Sequence, residues 1–203
     1  MAQAYTVRAR IVDLKDHRPS RGESYLIDTN VLWWASYPFA PETPSPPRYY
    51  QTEDYPEFLK AAKVAGAQLH WSPLSWPELA HHIERTEFAV AKYYGAPNTD
   101  HLKAYRHGDA QERERVVQAI EDAWGMVESL ATPLPIAALD QAAVNQARSG
   151  LKTCGVDGYD LFLVDSVRAS GITGIITDDG DFCTVPGITV FTANRSMLSA
   201  AQR

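Results

Sequence analysis

The chain has 203 residues, 45% hydrophobic and 22% charged, which is typical of a globular protein with one sizeable core. Its formal net charge of −6 argues against a strong basic surface, and no apolar run approaches the length that spans a membrane. A nucleic-acid substrate is not excluded, because a cluster of carboxylates at one site would account for most of the negative charge.

Two further features bear on the cellular compartment. The first residues lack the apolar core of a signal peptide. Cys154 and Cys183 are far apart and lack the spacing of metal ligands, so we expect free thiols in a reducing cytoplasm, with a single disulfide as the alternative.

The N-terminal part of the chain predicts two strands. Residues 1–23 are polar and mixed, and loose alternation over residues 5–12 predicts an edge strand. Residues 25–27 predict a short buried strand, which is followed by Asp28 and an apolar helical stretch. Asp28 is either the N-cap of that helix or a metal-binding carboxylate at the carboxyl end of the strand.

An insertion follows the first helix. Residues 36–56 contain six prolines, which predicts an irregular loop beside the core. The aromatic residues of this region either pack against the domain or a partner, or stack on nucleic-acid bases. A helix is predicted from residue 56 to residue 65, with Pro56 in its first turn.

The next helix carries a candidate carboxylate. After a short predicted strand at 68–72, Ser75 and Glu78 have the spacing of a capping box, with Ser75 as N-cap. The capping interpretation does not exclude chemistry, because a carboxylate in a first turn can also face a site above a sheet.

The second half of the chain predicts three more helices and three more strands, of which the strand at 174–176 precedes the densest acids. Helices are predicted over 109–131 and 139–147, with a short strand near Ile136 between them. In a further helix that ends at Gly171, Asp160 and Asp165 are about 140° apart, so both cannot face one site; Asp160, at the start, is preferred. The last strand is predicted over 188–191.

Acidic residues are densest after the buried run at 174–176. The sequence there is Thr177-Asp178-Asp179-Gly180-Asp181-Phe182, directly after three residues that predict a central strand. Ligands of open α/β sheets bind at the carboxyl ends of the strands, so this loop lies where chemistry is expected.

The order of elements predicts an α/β protein, a three-layer α/β/α sandwich with a central, mostly parallel sheet. Four acids, Asp28, Glu78, Asp160 and Asp179, follow strands or begin helices, so they are expected to converge over one sheet edge. Two carboxylates about 4 Å apart repel by about 4 kcal/mol at an effective dielectric of about 20, so such a cluster needs protons or cations. Oxygen ligands favour Mg²⁺ or Mn²⁺ over zinc.

These motifs resemble those of PIN-domain ribonucleases, which include VapC-like toxins. The matching segments are Leu26-Ile27-Asp28-Thr29-Asn30, Ser75-x-x-Glu78, Asp160 ahead of Gly171, and Thr177-x-Asp179-x-Asp181-Phe182. The resemblance covers about residues 24–192. It implies a metal-dependent endoribonuclease that uses metal-activated water, with RNA as substrate, an antitoxin protein as partner, and a homodimer.

The resemblance also assigns roles to individual residues. It implies that Asp28, Glu78, Asp160 and Asp179 are catalytic and bind Mg²⁺ or Mn²⁺, that Asp181 is a fifth acid at the metal, and that Asn30 and Thr177 orient the ligands by hydrogen bonding. The extension at 1–23 and the insertion at 36–56 depart from a compact toxin. We therefore expect a PIN-like domain over 24–203 that carries an insertion.

Two other functions are compatible with parts of the pattern. A haloacid-dehalogenase-like phosphatase also places acids at a sheet edge, but it needs a second aspartate where Asn30 stands. A non-catalytic RNA-binding or scaffold protein with a PIN fold is the alternative of another class. The complete set of acids argues against it, because unused clustered carboxylates would only destabilise the fold.

Overall fold

The computed structural model describes residues 6–39, 46–135 and 139–202. The strands are β1 (Arg10–Asp13), β2 (Ser24–Ile27), β3 (Gln68–Trp71), β4 (Thr132–Pro133), β5 (Gly174–Ile176) and β6 (Thr189–Thr192). The helices are α1 (Thr29–Ser36), α2 (Tyr49–Ala65), α3 (Ser75–Tyr93), α4 (Leu102–Gly108), α5 (Ala110–Leu130), α6 (Gln141–Gly150), α7 (Gly158–Ser170) and α8 (Arg195–Ala201). A 3₁₀ turn, Gly180–Thr184, follows β5. Part of the predicted loop, residues 40–45, and the strand predicted near residue 136 lie outside the described residues.

The six strands of the described chain form one parallel sheet in the order β1-β6-β5-β2-β3-β4. Parallel neighbours need a crossover, and helices supply most of the crossovers here. The predicted three-layer α/β/α class is confirmed. The predicted edge strand near the N-terminus is also confirmed, because β1 lies at the sheet edge with Arg10 opposite Thr189 of β6.

The sheet separates two hydrophobic cores. In β2, Tyr25 and Ile27 pack into a core that contains residues of α1, α2, α3 and α5, whereas Leu26 packs into a second core with residues of α7. All three side chains are fully buried. Successive residues of a strand point to opposite faces, so a strand covered on both faces is apolar throughout. This arrangement explains the unbroken apolar run in the sequence.

The predicted start of the second helix is wrong. α2 begins at Tyr49, and Pro56 lies inside the helix rather than in its first turn. An interior proline lacks an N–H group and crowds the carbonyl four residues earlier, at a cost of about 3 kcal/mol. Burial of Tyr55 and Phe58, which are 0% and 5% exposed, offsets that cost through the hydrophobic effect.

The predicted capping box of α3 is also wrong. Leu74 is the N-cap, Ser75 is the first helical residue, and the Oγ of Ser75 is buried without a hydrogen-bond partner among the described residues. The turn is held instead by Ser72, whose carbonyl oxygen accepts from the N–H of Ser75 at 2.8 Å. The carboxylate of Glu78 is therefore available for other contacts.

Both cysteines are free, as predicted. Cys183 is buried and Cys154 is half-buried. Within the described ranges, no helix combines the length and the apolar character needed to cross a bilayer.

The chain reverses its direction across the sheet between β2 and β5. These strands are neighbours, but the chain continues from β2 to β3 on one side and from β5 to β6 on the other. The crevice outside the carboxyl ends of two such strands is where ligands bind in open α/β sheets. Asp28 directly follows β2 and Thr177 directly follows β5, so both lie at this point.

Candidate active site

Four elements bring the predicted acids to the same edge of the sheet. Asp28 directly follows β2, Glu78 lies in the first turn of α3, Asp160 lies in the first turn of α7, and Asp179 lies in the loop after β5. They are close enough for their charges to interact, because Asp28, Asp179 and Glu78 each raise the pKa of Asp160.

Asp28 is the most buried of these acids. Its side chain accepts hydrogen bonds from the Thr29 N–H at 2.7 Å and from the Thr177 hydroxyl at 2.5 Å. Burial, together with the charges of Glu78 and Asp179, raises its pKa to about 7 despite the lowering effect of the two hydrogen bonds. Asp28 is thus the N-cap of α1 and also a member of the acidic cluster.

The pKa of Asp160 is raised further than that of Asp28. Burial, followed by the charges of Asp28 and Asp157, raises its pKa to about 8. Its carboxylate accepts no hydrogen bond from the described residues, so nothing in that part of the chain compensates its charge. A carboxyl group in this condition is protonated at neutral pH unless a cation approaches it.

Glu78 is linked to the start of α1. The Thr29 hydroxyl donates to its Oε2 at 2.7 Å. The side chain retains contact with solvent, yet the surrounding protein atoms raise its pKa, and the charges of Asp157 and Asp179 add to that rise.

The loop after β5 positions two acids through local hydrogen bonds. The carboxylate of Asp179 accepts from the N–H of Asp181 at 2.8 Å, which caps the 3₁₀ turn. Burial raises the pKa of Asp181, as do the charges of Asp179 and Asp157. Asp179 therefore has a structural role in the turn as well as a place among the acids.

Asp157 belongs to the cluster but was not among the predicted site residues. It is the N-cap of α7, and its carboxylate accepts from the N–H groups of Tyr159 and Asp160 at 3.0 and 3.3 Å. Its charge raises the pKa of both Glu78 and Asp160. An aspartate directly before a predicted helix is an N-cap signal, which would have placed it at this edge.

The two residues expected to orient the acids differ in their contacts. Thr177 is fully buried, donates its hydroxyl hydrogen to Asp28, and accepts from the N–H of Asp179 at 2.9 Å. Asn30 makes no hydrogen bond to these acids, and its Oδ1 is buried without a partner in the described chain. The structure thus links Thr177, but not Asn30, to the cluster.

The cluster lacks cationic partners in the described part of the protein. Buried carboxylates with arginine partners lie elsewhere, where Glu84 binds Arg106 and Arg113 and Glu87 binds Arg115. In the same ranges, no three His, Cys, Asp or Glu side chains are arranged to hold a metal ion as they stand. Mg²⁺ is usually held by one or two carboxylates and several waters, so the donor chemistry fits this ion without a preassembled cage.

Comparison of the chain with protein-family models gives no match, and comparison with curated proteins gives no significant match. The resemblance to PIN-domain ribonucleases therefore stays a prediction from the motifs.

Proposed function

We propose that this protein is a metal-dependent endoribonuclease whose active site is the acidic cluster at the carboxyl edge of the sheet. The observation that carries this proposal is the convergence of acids at the chain reversal between β2 and β5, with pKa values of about 7 for Asp28 and about 8 for Asp160. Perturbed carboxyl groups in a cluster of like charge are a mark of functional sites. The energetic cost of holding them together is relieved when a cation binds.

Asp28, Glu78, Asp160 and Asp179 are the residues that would hold Mg²⁺ or Mn²⁺, with Asp181 beside them. Such an ion activates water and stabilises the negative charge that develops during phosphodiester hydrolysis. Binding it requires the carboxyl groups of Asp28 and Asp160 to release their protons, so affinity should increase with pH.

Two threonines hold acids of the proposed site in position by hydrogen bonds. Thr177 holds Asp28 on one side and the backbone of Asp179 on the other, which fixes the separation of the strand ends that carry them. Thr29 holds Glu78 at the start of α1. The choice of RNA as substrate, and the expectation of an antitoxin partner and a homodimer, depend on the resemblance of the motifs.

The test is cleavage of labelled single-stranded RNA with Mn²⁺ or with EDTA. The critical variant is Asp160→Asn, and its matched control is Asp165→Asn on the same helix, where the side chain lines a groove between α6 and α7. We expect cleavage by the wild type with Mn²⁺ only, a loss of at least about 100-fold in Asp160→Asn, and wild-type activity in Asp165→Asn.

Three results would contradict the proposal. Equal cleavage by Asp160→Asn, or cleavage that persists in EDTA, would show that this cluster is not the active site. No cleavage together with no rise in melting temperature on adding Mn²⁺ would favour a non-catalytic protein that retains the fold.

A further inference from the structure

Asp178 lies in the middle of the acidic loop but faces away from the acidic cluster. Both of its carboxylate oxygens accept hydrogen bonds from α2. Tyr50 Oη and Gln51 Nε2 donate to Oδ2 at 3.0 and 2.7 Å, and Tyr55 Oη donates to Oδ1 at 2.7 Å. We call these three side chains the α2 clamp.

The neighbours of Asp178 face the site. Thr177 contacts Asp28 and accepts from the N–H of Asp179, whereas Asp178 between them contacts the α2 clamp. Successive side chains of an extended segment point in opposite directions, which produces this division. The Nδ2 of Asn194 also donates to the carbonyl oxygen of Asp178 at 3.0 Å, so the backbone is held as well.

The α2 clamp is itself firmly placed. Tyr55 is fully buried, and its hydroxyl oxygen accepts from the N–H of Ala193 at 3.1 Å. Gln51 bridges the backbone before α2 and the acidic loop. Its Oε1 accepts from the N–H of Arg48 at 2.7 Å, and its Nε2 donates to the carboxylate of Asp178. The first two turns of α2 are thereby fastened to the acidic loop.

The chemistry of the clamp suits a positioning role. Its three donors are neutral and satisfy both oxygens of the Asp178 carboxylate. Burial raises the pKa of this carboxyl group, whereas the three hydrogen bonds and the charge of Arg48 lower it. Because both carboxylate oxygens already have donors, Asp178 is poorly placed to bind a cation as well.

We propose that Asp178 is a positioning residue, through which the α2 clamp holds Thr177 and Asp179 in place at the acidic site. The functional part of this inference rests on the proposed metal-dependent activity. It gives α2 a second role, because the helix that follows the insertion also supports the candidate active site.

Two measurements on Asp178→Asn test the inference. The asparagine keeps the size of the side chain but presents an NH₂ group to the donors of the clamp. We expect amide hydrogen exchange in residues 174–184 to accelerate about tenfold in the metal-free protein, and the dissociation constant for Mn²⁺ to increase about tenfold. Gln51→Met removes a single donor and should increase both the exchange rate at 174–184 and the dissociation constant for Mn²⁺ by about threefold.

The control is Tyr105→Phe, which removes a buried hydroxyl that donates to Glu112 at 2.9 Å and contacts none of the site acids. Equal acceleration in this variant would mean that lower overall stability explains the effect, and the positioning role would be rejected.

The remaining outcomes separate the two proposals. Unchanged exchange at 174–184 in both Asp178→Asn and Gln51→Met would overturn the inference, as would faster exchange with an unchanged affinity for Mn²⁺. Absence of Mn²⁺ binding by the wild type would instead reject the proposed function, while exchange in the metal-free protein would still report whether the clamp holds the loop.

Discussion

Asp28 allows a quantitative test of the acidic site in the absence of metal. The residue is 6% exposed, and burial, Glu78 and Asp179 raise the pKa of its carboxyl group from 3.8 to about 7. A group whose pKa is higher in the folded state binds more protons there, so stability falls as pH rises from the unfolded pKa to the folded one. Asp28→Asn removes the titrating group at nearly constant size and should be free of this loss.

The magnitude follows from the pKa difference. Each pH unit between the unfolded and the folded pKa lowers the free energy of unfolding by about 1.4 kcal/mol, so the full window from pH 3.8 to about 7 lowers it by roughly 4 kcal/mol. Somewhat less than half of this is already lost at about pH 5. Between about pH 5 and pH 8, the stability of Asp28→Asn relative to the wild type should therefore rise by about 2–3 kcal/mol.

The assay is urea unfolding of both proteins in EDTA at the two pH values. Taking the difference between the proteins cancels the titrating groups that do not interact with Asp28, including His70 and His82, whose pKa values are lowered by burial. Asp160 loses the repulsion of Asp28 in the variant, so its own pKa falls and the difference grows in the same direction. Saturating Mn²⁺ should remove the effect from the wild type, because a cation favours the ionised carboxylate.

Asp165→Asn is the control, and its free energy of unfolding relative to the wild type should show no comparable rise between the two pH values. A difference between Asp28→Asn and the wild type that stays constant within about 0.5 kcal/mol would refute the argument, because it would mean that the folded protein does not disfavour the charge of Asp28.

Two further predictions concern the fold. Pro56→Ala restores an N–H group that can bond to the Thr52 carbonyl oxygen within α2. The variant also has a more flexible unfolded chain, which offsets part of this gain, so the free energy of unfolding in urea should rise by about 1–2 kcal/mol. A lower free energy of unfolding would contradict this prediction. Gly174→Ala would place a Cβ atom against the Thr189 carbonyl oxygen and 2.8 Å from Cε2 of Phe191. It should lower the free energy of unfolding by about 1–3 kcal/mol, and an unchanged melting temperature would contradict the close contact of β5 with β6.

Most of the secondary structure could be predicted because its signals are local. The apolar run at 174–176 corresponds to β5, and the periodic segment over 109–131 corresponds to α5. The end of α7 at Gly171 was also predicted, and this glycine has a φ of 65°, a left-handed conformation that glycine adopts without strain.

The local signals failed where distant contacts decide the outcome. Prolines in the insertion predicted a loop up to residue 56, but burial of Tyr55 and Phe58 against the core sustains α2 from Tyr49. Ser75 has the right spacing for a cap, but the turn before α3 is held by Ser72 instead. Spacing along the chain reports which bonds are available, whereas packing determines which of them form.

The sequence by itself determined the α/β class and the placement of acids at strand ends and helix starts, because side-chain period and capping chemistry act within a few residues. Only the tertiary structure decided which acids share one electrostatic environment and which way each faces. It brought Asp157 into the cluster, turned Asp178 toward α2, and joined Thr177 to Asp28 across 149 positions of the chain. Coulomb interactions and hydrogen bonds depend on distance in space, and the packing of helices on both faces of the parallel sheet sets those distances.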